Sequence, residues 1–168
     1  MKIIIIGKGS GWKDAPIEGE TWGVNDLLLR RPVKLTFQMH DIDKLANEPG
    51  HSIKKEIEEI NRLGIPVITS AGHKLLPTAI LFPAEEMPVK YFTSSISIMM
   101  AYAIYKGATE IELYGVALAL DKEYAHQRPA VEFWIGYAMG KGIKVIVHDP
   151  TTIEVFKPHP IPYGTIWK

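Results

Sequence analysis

The chain has 168 residues, 46% of them hydrophobic, with 19 Lys and Arg set against 19 Asp and Glu and no cysteine. That length predicts one domain. The balanced charge argues against general nucleic-acid binding, which rests on a basic excess, and the missing cysteines exclude disulfides, thiolate catalysis and cysteine-ligated zinc. No apolar run approaches the ~18 residues of a membrane helix. The opening run Ile3–Ile6 is too short for a signal-peptide core, and Gly7 follows it at once, so a soluble, cytoplasmic protein is expected. Amides are scarce (Asn25, Gln38, Asn47, Asn61 and Gln127), a trend of heat-adapted proteins.

In chain order, Ile3–Ile6 is an all-apolar, β-branched run ending in glycine, the pattern of a strand buried on both faces. Thr21–Val24 and Leu35–Phe37 predict further strands, each running into polar residues. Ile53, Ile57 and Ile60 fall on one face of a helix that ends at Gly64, with Ser52 as its cap; Lys54, Lys55, Glu56, Glu58 and Glu59 read as its solvated side. Pro66 to Thr69 starts another strand, and the proline-rich stretch from Ala71 to Val89 predicts irregular chain with one short strand at Ala79–Phe82. Ser94 or Ser95 caps a helix running to Gly107 that is apolar around most of its circumference, hence central, with its methionines filling the core. Glu110–Gly115 follows as a strand with Ile111 and Leu113 on one face. Pro129 suits the first turn of a helix to Gly140, and Gly142–Val147 closes as the last strand.

Strands alternating with helices predict an α/β, Rossmann-like single domain over residues 1–150: a mostly parallel sheet with helices on both faces. Residues 151–168, rich in proline, should pack on it as a tail. Right-handed crossovers then bring the strands' carboxyl ends to one edge.

Several polar groups fall on that edge. Gly7-Lys8-Gly9-Ser10-Gly11 lets backbone N–H groups approach a phosphate or ribose, although it matches neither G-x-G-x-x-G nor the lysine-Ser/Thr ending of a P-loop. Thr93, Ser94 and Ser95 open the apolar helix, a natural anion site. Tyr124, His126 and Arg128 group a phenol, an imidazole and a guanidinium before the closing helix. His40, Asp41 and Asp43 form a weak metal candidate, echoed by His148-Asp149. Trp12, Trp22 and the aromatic helix from Phe133 to Tyr137 predict some exposed apolar surface, which favours a homodimer.

The motif set resembles the bacterial CMP-sialic-acid-dependent sialyltransferases and the related, often phage-encoded, Rossmann-like proteins. The resemblance rests on Gly7-Lys8-Gly9-Ser10, on Trp22-Gly23-Val24-Asn25, and on Thr93-Ser94-Ser95 followed by Gly107 and Glu110-Ile111-Glu112-Leu113-Tyr114-Gly115. It extends to Glu132-Phe133 and Gly142 to Val145. It implies that Gly7, Gly9, Ser10, Asn25, Thr93, Ser94, Ser95, Tyr124 and Arg128 line a pocket for a nucleotide or nucleotide sugar. His126 would be the base of a direct displacement, and no cofactor or metal would be required. Ala117 stands where the family has aspartate, and the stretch from Phe82 to Thr93 is shorter than the family's inserted lid. Two alternatives stay open: a non-catalytic binding or assembly module on the same fold, and a small metal-dependent hydrolase.

Overall fold

The computed structural model describes residues 1–46, 53–116, 118 and 124–148, with backbone alone at residues 43, 124 and 125. Ala117, Asp149 and the expected tail lie outside the described residues. Seven described strands form one sheet: β1 (Lys2–Ile6), β2 (Thr21–Val24), β3 (Leu35–Gln38), β4 (Val67–Thr69), β5 (Ala79–Leu81), β6 (Glu110–Tyr114) and β7 (Lys144–Val147). All pairings are parallel, in the order β5-β4-β3-β2-β1-β6-β7. The helices are α1 (Ile42–Ala46), α2 (Ile53–Leu63), α3 (Ser95–Tyr105) and α4 (Tyr124–Gly140). The expected Rossmann-like α/β architecture is what the chain adopts.

The two-residue period of β1 sorts its isoleucines between two layers. Ile3 and Ile5 join Trp22, Phe37, Ile111 and Leu113 beneath α3 and α4, while Ile4 and Ile6 join Ala15, Leu27 and Tyr114 on the opposite face. On that second face, farther toward β4, Ile42 of α1 and Ile53, Ile57 and Ile60 of α2 pack on Val33 and Val67. Within α3, Met99 and Met100 are fully buried, as a helix apolar on all sides requires.

Three expectations need correction. Trp22 is not surface: it is buried against Phe37 and Tyr102, ring centroids 5.6 and 5.5 Å away. Pro129 lies inside α4 rather than in its first turn. The first four N–H groups of a helix have no intrahelical acceptor, so a proline in the second turn deletes only one early bond and the helix extends back to Tyr124. Glu56 is not solvated: it is 4% exposed, on the inner side of α2.

A feature invisible in the sequence braces the loop after β1. Arg31, 8% exposed, donates from Nη1 to the carbonyl of Trp12 at 2.7 Å and from Nη2 to those of Ala15 and Pro16 at 3.0 and 2.8 Å. Neutral carbonyls give a guanidinium directional bonds, and its desolvation lowers the Arg31 pKa from its ordinary value. The chain just after the glycine loop is therefore anchored from β3's side of the sheet.

Candidate functional site

The strand order reverses direction between β1 and β6, and the crevice outside the carboxyl ends of such a pair is the usual ligand position in open α/β sheets. Here the two chain exits touch. Gly7 N–H donates to the Tyr114 carbonyl at 2.8 Å and Gly9 N–H to that of Gly115 at 2.7 Å. A Cβ on Gly7 would stand 2.5 Å from the Gly115 oxygen. One on Gly115, whose φ is +60°, would stand 2.8 Å from Trp12 Cβ. Both positions need glycine, because backbone meets backbone with no room for a side chain.

A cavity of about 940 Å³ opens over this contact. Gly7, Lys8, Gly9 and Gly115 form one end, Asn25 and Asp26 the floor, and Thr93, Ser94, Ser95 and Ile96 the wall beneath α3. Gln38, His40 and Glu56 line it on the β3 side. Its size falls within the ~300–1,000 Å³ of small-molecule sites.

The start of α3 is a capping box. Ser94 Oγ accepts from Ser97 N at 3.2 Å, and Ser97 Oγ accepts from Ser94 N at 3.1 Å and from Thr93 N at 3.2 Å. Thr93 Oγ1 donates to the Gln127 carbonyl at 3.3 Å, tying this helix start to that of α4. The Ser94 and Thr93 hydroxyls thus have structural partners. The N–H groups of Ser95 and Ile96 lie at the positive end of the helix dipole, an arrangement that favours an anion.

Asn25 follows β2 with φ 48°, a left-handed conformation that asparagine tolerates better than most residues, and its Oδ1 is buried without a partner among the described residues. A buried acceptor left unpaired beside a cavity is suited to a ligand's donor. Lys8 Nζ and Arg30 Nη2 contact the two oxygens of Asp26 at 2.5 and 2.8 Å. Burial pushes the Asp26 carboxyl up, but bonding and charge from Lys8 and then Arg30 outweigh it, so its pKa lies below the ordinary 3.8.

The structure thus gathers Gly7, Gly9, Asn25, Thr93, Ser94 and Ser95 around one cavity. Ser10 is exposed on the loop beyond. His126 is exposed in the first turn of α4, next to Gln127, which lines the cavity. Arg128 is half-buried, 3.8 Å from Glu132 one turn on, and Tyr124 begins the same helix. Of the metal candidate, His40 and Asp41 are engaged within the protein, and the Asp43 side chain lies outside the described residues. His40 Nδ1 sits 2.8 Å from Gln38 Oε1, and Asp41 Oδ1 accepts from Lys44 N at 3.0 Å as the cap of α1. Among the described residues no group of three His, Asp or Glu side chains is placed to hold a metal ion. No described helix is long and apolar enough to cross a membrane.

Sequence reasoning missed Gln38 and Glu56. Gln38 Nε2 donates to Glu56 Oε2 at 2.7 Å, joining β3 to α2 at the cavity wall. A signal was there: Glu56 stands three residues after Ile53 and four before Ile60, on the apolar face of the helix rather than opposite it.

No protein-family model matches the sequence, and no curated protein matches it at a significant score. Solved structures do match. The fold is shared with the sialyltransferase CstII of Campylobacter jejuni. CstII with the substrate analogue CMP-3FNeuAc aligns over 92% of this chain and 82% of its own, with TM-score 0.57 and 15% identity. CstII with cytidine-5'-monophosphate aligns over the same shares, with TM-score 0.58 and 16% identity. CstII with a trisaccharide acceptor and CMP aligns over 92% and 84%, with TM-score 0.59 and 14% identity.

Proposed function

We propose that the cavity between β1, β6 and the start of α3 binds a nucleotide or nucleotide sugar, as a glycosyltransferase-like site. The observation that supports this best is the convergence of Gly7, Gly9, Asn25, Ser94 and Ser95 on one cavity at the point where the strand order reverses. Backbone N–H groups of the glycine loop and of α3 suit a phosphate, and the unpaired Asn25 Oδ1 suits a ribose or base donor. The sialyltransferases that share the fold were solved with CMP and a CMP-sugar analogue, which supports the same ligand class here.

A thermal-shift series with CMP tests the reading. At one hundred times its dissociation constant a ligand stabilises by about 2.7 kcal/mol, and at this chain length each kcal/mol moves Tm by roughly 2–4 °C. A rise of about 5–10 °C is expected. Asn25→Gly, which keeps the left-handed backbone and deletes the amide, should abolish most of it. No rise with CMP or any other nucleotide sinks the reading.

A second reading, binding without transfer, is favoured by the segment between β5 and α3. Phe82, Met87 and Val89 hold it on the core, with a short 3-10 turn at Ala84–Glu86. It packs on the sheet as a strap. Release of CMP from a CMP-sugar separates the two readings.

A further inference from the structure

The hydrogen bonds at the β3 end of the cavity decide which nitrogen of His40 carries its proton. Glu56, buried on α2, accepts from Gln38 Nε2 at 2.7 Å. That bond turns the Gln38 amide nitrogen toward the carboxylate and its oxygen toward His40. The oxygen receives the His40 backbone N–H at 3.3 Å and faces the ring Nδ1 at 2.8 Å. An amide oxygen only accepts, so Nδ1 carries the hydrogen and Nε2 keeps its lone pair. Two independent groups, the backbone N–H and the buried carboxylate, enforce the same amide orientation. His40 itself is exposed and lines the cavity.

Position within the sheet adds to this. β3 lies two strands from β1, roughly 10 Å away at ~4.8 Å per strand. Gln38 and His40 line the same cavity as the glycine loop and the start of α3, so a sugar on a phosphate held there shares the cavity with them.

We infer that His40 Nε2 is the proton acceptor of this cavity, serving the hydroxyl that attacks a bound nucleotide sugar. The inference rests on the nucleotide-sugar reading above. The attacking oxygen forms its bond to the anomeric carbon as that carbon's bond to the phosphate oxygen breaks. The electron pair of the broken bond leaves with the nucleotide phosphate, and the hydroxyl proton passes to Nε2. The resulting imidazolium donates from Nδ1 to the Gln38 oxygen, and Glu56 holds the other end of that amide. His40 is the catalytic residue; Gln38 and Glu56 are positioning residues.

Release of CMP from CMP-N-acetylneuraminate by the full chain, with calorimetric binding of CMP alongside, tests the assignment. Wild type should bind CMP and release it from the donor. His40→Ala should lose about 10²–10⁴-fold of the rate, the usual contribution of a positioned base, while its affinity for CMP stays within about threefold of wild type. Two-bond proton–nitrogen spectra should show His40 with the hydrogen on Nδ1, and Gln38→Leu should shift that population toward Nε2–H. His40→Ala turning over at the wild-type rate overturns the inference. So does wild type that binds CMP yet releases none, or a His40 protonated on Nε2 in the neutral wild type. Loss of turnover in His126→Ala with retention in His40→Ala assigns the proton to His126 and equally overturns it. Wild type that binds neither CMP nor any other nucleotide sinks the nucleotide reading instead, a separate and recognisable failure.

Discussion

The two ends of the cavity are built from different parts of the chain. At the β1–β6 end the surface is main chain: Gly7 and Gly115 press together, Gly9 bonds across, and α3 presents its first N–H groups. At the β3 end it is side chain: the linked series Glu56, Gln38 and His40. A backbone surface has its shape set by the fold, and under the proposed function it would recognise a group any nucleotide possesses. A side-chain surface is set by three separate residue choices, on α2, on β3 and in the chain just after β3. The first end is suited to holding a common handle, and the second to discriminating or doing chemistry on what hangs from it.

The sharpest way to break this contrast is to place a side chain at the backbone end. Gly115→Ala adds a Cβ 2.8 Å from Trp12 Cβ and 3.0 Å from two backbone oxygens, at a φ of +60°. Overpacking costs ~1–3 kcal/mol and the left-handed conformation roughly 1–2 more. Urea denaturation should show a loss of about 3 kcal/mol, with the midpoint falling and the slope unchanged. A loss under about 1 kcal/mol would mean that the β1 and β6 exits separate freely, and that this end is not a fixed surface.

At the other end, removal of a partner rather than addition of bulk is the informative change. Glu56→Ala leaves the Gln38 Nε2 buried without its acceptor, an arrangement that costs about 2 kcal/mol. Glu58→Ala, two residues on and exposed, should leave the urea midpoint unchanged. Equal effects from both would restore the solvated-face picture of α2 and dissolve the wall that positions His40.

That pair of glutamates also shows what was readable in the sequence. The sheet, its parallel sense and the edge that carries the site follow from β-branched runs ending in glycine, asparagine or serine, because those patterns act locally. Gly7, Gly9, Asn25 and Ser94 each follow a strand or open a helix, so one geometric rule gathers them. Glu56 and Gln38 obey no such rule. Their bond depends on how α2 lies over β3, a tertiary fact, and a charge within a charged run gives little sign of facing inward. Trp22 misled for the same reason: its burial comes from Phe37 and Tyr102, neither adjacent in sequence. His126 was legible as a polar group near the right edge, but a helix that starts at Tyr124 instead of Pro129 carries it on an exposed turn.

The smallest expected effect concerns charge at the backbone end, where Asp26 holds Lys8 beside the glycine loop. The Asp26 pKa lies below 3.8 when folded, because Lys8 and Arg30 outweigh the effect of burial. Between the two values the unfolded chain binds the proton and the folded chain does not, so stability falls as pH falls through that window and is whole above it. Glu112 adds a second acid limb from β6. Burial pushes its carboxyl up, but Lys2, Tyr114 and His148 bring it below 4.5. Asp26→Asn should therefore be less stable than wild type at pH 6, with the gap closing as pH drops below about 4 and Glu112 still supplying an acid limb in both proteins. Exposure of Lys8 and Arg30 to solvent limits the gap to a fraction of a buried pair's worth. Urea midpoints at pH 6, 4 and 3 decide it: parallel curves for the two proteins would show that Asp26 does not hold Lys8 in solution, leaving Lys8 free to meet a phosphate directly.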